Sequence, residues 1–253
     1  MAHALHTLIR DLHRRRGRER RGLALAEGVR LVEEALAARL VIRAALASPA
    51  LEATPRGRAL KASLLKAGVT MEEAPDREFA DLAATEHPQG VLAVVEPRRW
   101  SLADVAVAPR APVLVLDAVQ DPGNVGTMVR TAHALGAAGV LALPGSAEFT
   151  NPKALRAAMG SAFHLPCVAT DEPELRQWAE QSGARVLLAD RGGAPPDRAA
   201  VPTVLVVGNE GAGIRPGFVS WAAGSVGISL RHGAESLNVA IAAGILHYEV
   251  TRE

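Results

Sequence analysis

The stretch Pro112–Pro144, "PVLVLDAVQDPGNVGTMVRTAHALGAAGVLALP", decides the fold. "VLVLD" (113–117) is a short unbroken apolar run, the pattern of a strand covered on both faces. "VGTMVRTAHALG" (125–136) has helical spacing, with Asn124 placed to cap its start and Gly136 to end it. "GVLALP" (139–144) is a second apolar strand. A strand, a crossover helix and a strand of this kind predict two parallel neighbours in one sheet. The turn "DAVQDPGN" is less ordinary, because a turn needs only its Pro and Gly. Arg130, one and a half helical turns beyond Asn124, sits where the helix dipole disfavours a cation.

The same alternation continues to the C-terminus. Further strands are predicted at "RVLLAD" (185–190), "TVLVVG" (203–208) and "SVGISL" (225–230). Helices are predicted at "NPKALRAAMGSA" (151–162), "EPELRQWAEQSG" (172–183) and "SLNVAIAAGILHYEV" (236–250). The fold class is therefore α/β, a parallel sheet with helices on both faces. Ligands in such sheets sit beyond the carboxyl ends of the strands. Three turns there carry unusual residues: "DAVQDPGN", "GNEGAG" (208–213) and "RHGAESLN" (231–238).

Upstream, residues 1–96 read as a smaller α/β unit, with helices at "LHTLIRDLHRRR", "EGVRLVEEALAARL" and "GRALKASLLKAG" and strands at "VIRAALAS" and "GVLAVVEP". Residues 97–111 lie within the proline-punctuated "EPRRWSLADVAVAPRAP" and read as a linker, leaving 112–253 as the second domain.

Composition narrows the function. Of 253 residues, 49% are apolar, so a sizeable core is available, and no run is long enough to cross a membrane. The N-terminus lacks the apolar centre of a signal peptide, and the expected compartment is the cytoplasm. The single cysteine, Cys167 in "HLPCVA", excludes an internal disulfide and a multi-cysteine zinc site; it reads as a buried, inert thiol, and no metal is expected. Net charge is only +1, but seven arginines crowd one segment: Arg10, Arg14, Arg15, Arg16, Arg18, Arg20 and Arg21. Clustered guanidinium groups suit RNA phosphates; the ordinary alternative is a solvated basic helix face. Aromatic residues are 3%, so base-stacking platforms are scarce.

The glycines 208, 211 and 213 are spaced G-x-x-G-x-G, not the dinucleotide fingerprint, and Pro216 delays any following helix. A backbone-exposing loop for an adenine or sulfonium ligand fits better; a plain glycine turn with a solvated Glu210 is the bland alternative. In the last turn, Ser236 is placed to cap a helix starting near Leu237, which leaves Asn238 without a local task. Ala240, Ala243 and Gly244 then form a small-residue strip suited to close helix pairing.

Taken together and in order, "DPGNVGTMVRTA", "VVGNEGAG" and "ISLRHGAESLNVAIAAGILHYE" resemble the three motifs of the SpoU (TrmH-type) RNA 2′-O-ribose methyltransferases of the SPOUT superfamily. The resemblance covers about residues 112–253, includes "NPKALRAAMGSAFHLP", and extends more loosely to "EGVRLVEEAL" and "TEHPQGVLAVV", which are similar to that family's small RNA substrate-binding domain. It implies a deep C-terminal trefoil knot, S-adenosylmethionine as cofactor, and a homodimer packed through the knot. Gly208, Ile228, Leu230 and Leu237 would contact the cofactor, and Asn124, Arg130, Glu210, Ser236 and Asn238 would line the reaction site. The substrate would be RNA, ribosomal rather than transfer RNA, contacted by the N-terminal arginines. Departures are Ile228-Ser229-Leu230 where Ile-Pro-Met is usual, Ala240-Ile241-Ala242 where Ser-Val-Ala is usual, and Ala158 where a serine is frequent. A transfer-RNA methyltransferase, a non-enzymatic RNA-binding or ribosome-assembly protein, and an NAD-dependent oxidoreductase are the competing readings.

Overall fold

The structure is a computed structural model and describes residues 2–198, 200–231 and 235–252. His232–Ala234 of the third turn therefore lie outside the described residues. The chain divides into two compact units. Met1–Arg99 joins Thr150–Phe163 in the first, and Trp100–Phe149 joins His164–Glu253 in the second.

The first unit holds, in chain order, α1 (Ala2–Leu12), α2 (Arg15–Arg21), β1 (Ala24–Glu27), α3 (Val29–Ala37), β2 (Ile42–Ala47), α4 (Pro49–Glu52), α5 (Pro55–Lys66), β3 (Met71–Glu73), α6 (Asp76–Ala80) and β4 (Val91–Val95). Its sheet has the order β1-β4-β2-β3, with antiparallel pairs around β4 and β3 parallel to β2. Alternation sorts the side chains. Ala24, Ala26, Val91, Ala93 and Val95 pack with Val32 of α3 and Leu60 and Leu64 of α5. Leu25, Leu46, Leu92 and Val94 pack with Ile9 and Leu12 of α1 and Phe79 of α6. Strands β1 and β3 escape the sequence reading because four and three residues are too few to show a period.

The second unit holds β5 (Val113–Asp117), α7 (Pro122–Ala134) and β6 (Gly139–Ala142); after α8 (Pro152–Ala158) come β7 (Cys167–Ala169), α9 (Glu172–Gln181), β8 (Arg185–Ala194), β9 (Thr203–Gly208), β10 (Gly224–Val226) and α10 (Val239–Thr251). Its six strands run parallel in the order β10-β8-β9-β5-β6-β7. Helix α9 and the 3₁₀ turn Pro216–Ser220 cover one face through Leu175, Ala179 and Phe218. Helices α7 and α10 pack on each other, on β6 and on β9. The direction of winding across the sheet reverses at the middle: β5 leads by α7 to β6 on one side, whereas β9 leads to β10 on the other. This is a topological switch point, and the crevice beyond β5 and β9 is where the fold opens a ligand site.

Three expectations change. Segment 150–163, placed by its sequence in the second domain, belongs to the first unit: Leu155 and Phe163 join the apolar cluster under β1, and Arg156 donates to the buried Glu27 at 3.1 Å. The segment 97–111 is no free linker, since Trp100, Leu102, Val105 and Val107 pack on the parallel sheet. Strand β10 ends at Val226 and not at Leu230. A Cβ on Gly227 would lie 2.5 Å from the Asp190 carbonyl oxygen, so two backbones cross there in contact and the ladder stops. Cys167 is half-buried on the edge strand β7, and burial pushes its thiol up, which keeps it inert.

His247 of α10 is buried with neither ring nitrogen bonded among the described residues, and burial lowers its pKa to about 4. The unfolded chain takes up a proton near the ordinary value of about 6.5, and the folded chain does so only near 4. Stability is therefore intact above that upper value and lost as pH falls from 6.5 towards 4, by up to about 3 kcal/mol. His247→Leu should flatten urea midpoints across this window while leaving them similar at pH 7.5.

Candidate active site

Strand β5 delivers Asp117 to the crevice, and β9 delivers Gly208 directly opposite it in register. A Cβ on Gly208 would stand 2.3 Å from the Gly213 carbonyl carbon and 2.4 Å from the Ile214 nitrogen, so only glycine lets the loop fold back on the strand. Asn209 holds that loop shut. Its Oδ1 accepts from the Gly211 and Ala212 N–H groups at 2.9 Å, and its Nδ2 donates to the Ala118 carbonyl at 2.9 Å. Arg215 closes the far limb: its N–H and its Nε both donate to Asp117 at 2.7 Å, and its Nη2 to the Pro144 carbonyl at 3.1 Å. Asp117 is 1% exposed.

The first motif differs from its sequence reading in a useful way. Helix α7 starts at Pro122, and its cap is Asp121, whose carboxylate accepts from the Asn124 N–H. The asparagine side chain is thereby released from capping. Its Nδ2 donates to Glu210 Oε1 at 2.9 Å, and its Oδ1 accepts from Asn238 Nδ2 at 3.0 Å. The third motif shows the complementary change: α10 starts at Val239, and its cap is Asn238, not Ser236. Asn238 Oδ1 accepts from the Ala240 and Ile241 N–H groups at 2.9 and 3.3 Å. This fixes which end of each amide is which. The cap makes Asn238 Oδ1 the acceptor, so its Nδ2 must donate to Asn124; Asn124 then turns its own Nδ2 to the Glu210 carboxylate. One directed chain, Asn238 to Asn124 to Glu210, ties the three turns together. Glu210 keeps its second oxygen without a partner among the described residues.

A cleft of about 740 Å³ opens beside this chain, within the ~300–1,000 Å³ range of small-molecule sites. Gly208, Glu210, Ser236, Leu237 and Asn238 are among its walls. An adjoining apolar cavity of about 140 Å³ is lined by Ile228, Leu230, Leu237 and Leu246, with Ser236 at its edge. Asp190 and Arg191 border both. The sequence reading missed Asn209, Asp117, Arg215, Asp190 and Arg191, because each is an ordinary polar residue until the loops bring it to the crevice.

Arg130 stands apart. It is exposed and makes no hydrogen bond or ion pair among the described residues. Six residues past Asn124, it lies about 9 Å along α7 and about 120° around it. The N-terminal arginines divide as well. Arg18 is 4% exposed and donates to the Leu12 and His13 carbonyls, closing the end of α1, so it is unavailable to RNA. Arg20 and Arg21 pair with Asp11, and Arg15 with Glu19. Arg10, Arg14 and Arg16 are exposed and unpaired among the described residues. The strip Ala240, Ala243 and Gly244 makes its close helix pairing within the chain. Ala240 and Ala243 are buried within the chain, and Gly244 lies against Thr131 of α7. What α10 exposes is the apolar stripe Ile241, Ile245 and Tyr248.

A switch-point crevice with a glycine cradle and a relay of two amides and a carboxylate is the arrangement of an α/β ligand-binding site. The chain belongs to the SpoU rRNA methylase family, whose model matches residues 111–248; the model of an MRM3-like substrate binding domain matches residues 8–93. Over its whole length the chain is similar to the 23S rRNA (guanosine(2553)-2′-O)-methyltransferase RlmP of Bacillus subtilis, at 35% identity with 95% of this chain and 93% of that protein covered. It is similar also to the 23S rRNA (uridine(2479)-2′-O)-methyltransferase of Streptomyces viridochromogenes, at 31% identity over 96% of this chain and 87% of that one. The crystal structure of the SpoU methyltransferase AviRb from S. viridochromogenes in complex with AdoMet superposes with a TM-score of 0.85 at 30% identity, covering 97% of this chain and 95% of that one.

Proposed function

We propose that this protein methylates a ribose 2′-hydroxyl in structured RNA, using S-adenosylmethionine, and that it acts as a cytoplasmic homodimer. The observation that carries this reading is the directed chain from Asn238 through Asn124 to Glu210 at the rim of the Gly208 cradle. The named activities of full-length relatives, both on 23S rRNA, favour ribosomal over transfer RNA. They also disfavour a non-enzymatic role. An oxidoreductase is disfavoured by the glycine loop, which closes on itself between Asn209 and Gly213 and opens no α-helix.

The residues fit the cofactor. The Gly208 cradle exposes main-chain groups, and Ile228, Leu230 and Leu237 offer an apolar slot for an adenine ring. When bound, S-adenosylmethionine supplies a methyl group on a cationic sulfur that leaves as a neutral thioether. The chain's own task is to hold a hydroxyl in line and favour its loss of a proton. The open oxygen of Glu210 accepts the hydroxyl's hydrogen bond, with the carboxylate oriented by Asn124 and that amide by Asn238. Ser236 lines the cleft beside them. Arg130, exposed on another face of α7, grips the neighbouring phosphate with its guanidinium. Arg10, Arg14 and Arg16 supply phosphate contacts from the substrate-binding domain. The apolar stripe Ile241, Ile245 and Tyr248 supports pairing with a second copy. The reading includes the trefoil knot, supported by the close crossing of 190–193 with 226–227, where a Cβ on Gly193 would lie 2.4 Å from the Val226 carbonyl carbon.

The test is methyl transfer from labelled S-adenosylmethionine to purified ribosomal and transfer RNA, with the site mapped by 2′-O-methyl sequencing. Label confined to one ribosomal ribose is the expected result. Label in transfer RNA alone, or none despite cofactor binding, would overturn it.

A further inference from the structure

The cleft walls are almost wholly neutral, and this makes their charges informative. Apart from Glu210, which Asn124 engages, the charged residues bordering the two cavities are Asp190 and Arg191. They are neighbours of opposite sign on β8, which runs on past its apolar segment through Arg191-Gly192-Gly193-Ala194. Neither makes a hydrogen bond or ion pair among the described residues, with each other or with anything else. Arg185 pairs with Asp197, Arg176 with Glu180, and Arg215 with Asp117, so Asp190 and Arg191 keep their hydrogen-bonding capacity free of these partners.

Their backbone is held firmly. The crossing of Gly227 against the Asp190 carbonyl and of Val226 against Gly193 leaves no room for a Cβ, so this part of β8 cannot shift without moving β10. An anion and a cation carried by one firmly held stretch of backbone in a neutral cleft complement a zwitterion. An adenosyl group carries no such charge, but an α-amino acid carries an ammonium and a carboxylate on one carbon.

We propose that Asp190 and Arg191 recognise the amino-acid end of the cofactor, Asp190 accepting from its α-ammonium and Arg191 donating to its α-carboxylate. This rests on the reading of the cleft as a site for S-adenosylmethionine. The pair sets specificity for the whole cofactor over its adenosyl fragment, and it takes no part in moving the proton.

The test is calorimetric binding of S-adenosylmethionine, S-adenosylhomocysteine and 5′-methylthioadenosine, which lacks the amino-acid end, to wild type, Asp190→Asn and Arg191→Gln. Both positions are exposed, and unchanged melting temperatures would show that the variants fold. Each variant should bind the two amino-acid-bearing ligands about tenfold more weakly or worse, as for a lost charge-assisted hydrogen bond, with methylthioadenosine affinity unchanged. An equal loss for all three ligands would overturn the proposal, because the pocket as a whole would then be distorted. Unchanged cofactor affinity with weakened RNA binding by Arg191→Gln would also overturn it and make Arg191 a phosphate contact. Failure of the wild type to bind any of the three would overturn the underlying reading itself.

Discussion

Asn238→Asp should lower the rate of methyl transfer by about 10²–10³-fold, the scale seen when one preorganised donor is removed from a reaction site. The folded state should be no less stable. Asparagine and aspartate are nearly the same size, and a carboxylate serves the cap of α10 as well as an amide does, with an added favourable interaction at the helix N-terminus. What the substitution removes is the Nδ2 donor to Asn124. The Asn124 amide then lies between two carboxylates, at 238 and 210. It has one donor end and one acceptor end, so it can satisfy only one of them. Either Glu210 loses its orienting hydrogen bond, or the Asn124 carbonyl faces the new carboxylate. Asn238→Ala removes cap and donor together, costing about 1 kcal/mol of stability as well. Denaturation midpoints and single-turnover rates on the two variants separate the roles. If Asn238→Asp transfers at the wild-type rate, the relay is only a structural tie.

Helix and strand were legible in the second unit wherever an apolar run or helical period spanned five or more residues, as in "VLVLD" and "TVLVVG". The three-residue β7 and the early end of β10 were not. One is too short to show a period, and the other is cut by a backbone crossing set up from a distant strand. Capping was legible in kind and wrong in place, at both motifs. The sequence reading puts the caps at Asn124 and Ser236, whereas the structure has Asp121, which leaves the Asn124 side chain to Glu210 and Asn238, and Asn238, which caps with its oxygen and reaches Asn124 with its nitrogen. The resemblance therefore located Asn124, Glu210 and Asn238, but it did not show how they are wired. Segment 150–163 was misplaced for a related reason: the partners of Leu155 and Arg156 are β1 and Glu27, more than a hundred residues upstream, and no local pattern records that. The arginine cluster shows the opposite failure. Its composition suggested seven equivalent cations, but Arg18 is spent on closing α1 and three others on Asp11 and Glu19.

Arg215→Leu should destabilise the protein by about 3–5 kcal/mol, the cost of leaving one member of a buried ion pair uncompensated. The two members of the pair are unequally buried. The Asp117 side chain is 2% exposed and that of Arg215 is 31% exposed. If Asp117 is removed, the guanidinium can turn to water and keep its bond to the Pro144 carbonyl. If Arg215 is removed, a carboxylate stays buried at the end of β5 with one backbone N–H, that of residue 215, as its remaining donor. Neutralising that carboxylate should then help. The double variant Asp117→Asn/Arg215→Leu should be more stable than Arg215→Leu alone by about 1–3 kcal/mol, although each single change destabilises. Urea titrations of the four proteins complete the cycle, and simple additivity would refute the account. A functional consequence follows from the location of the pair. Arg215 anchors the limb of the loop whose Gly213 and Ile214 backbone lies against Gly208. Loosening it disorders a wall of the cleft before it disturbs the relay, which Asn124 and Asn238 hold from other elements. In conditions where Arg215→Leu is still folded, its loss should therefore appear first as weaker cofactor binding, with single-turnover transfer at saturating cofactor retained.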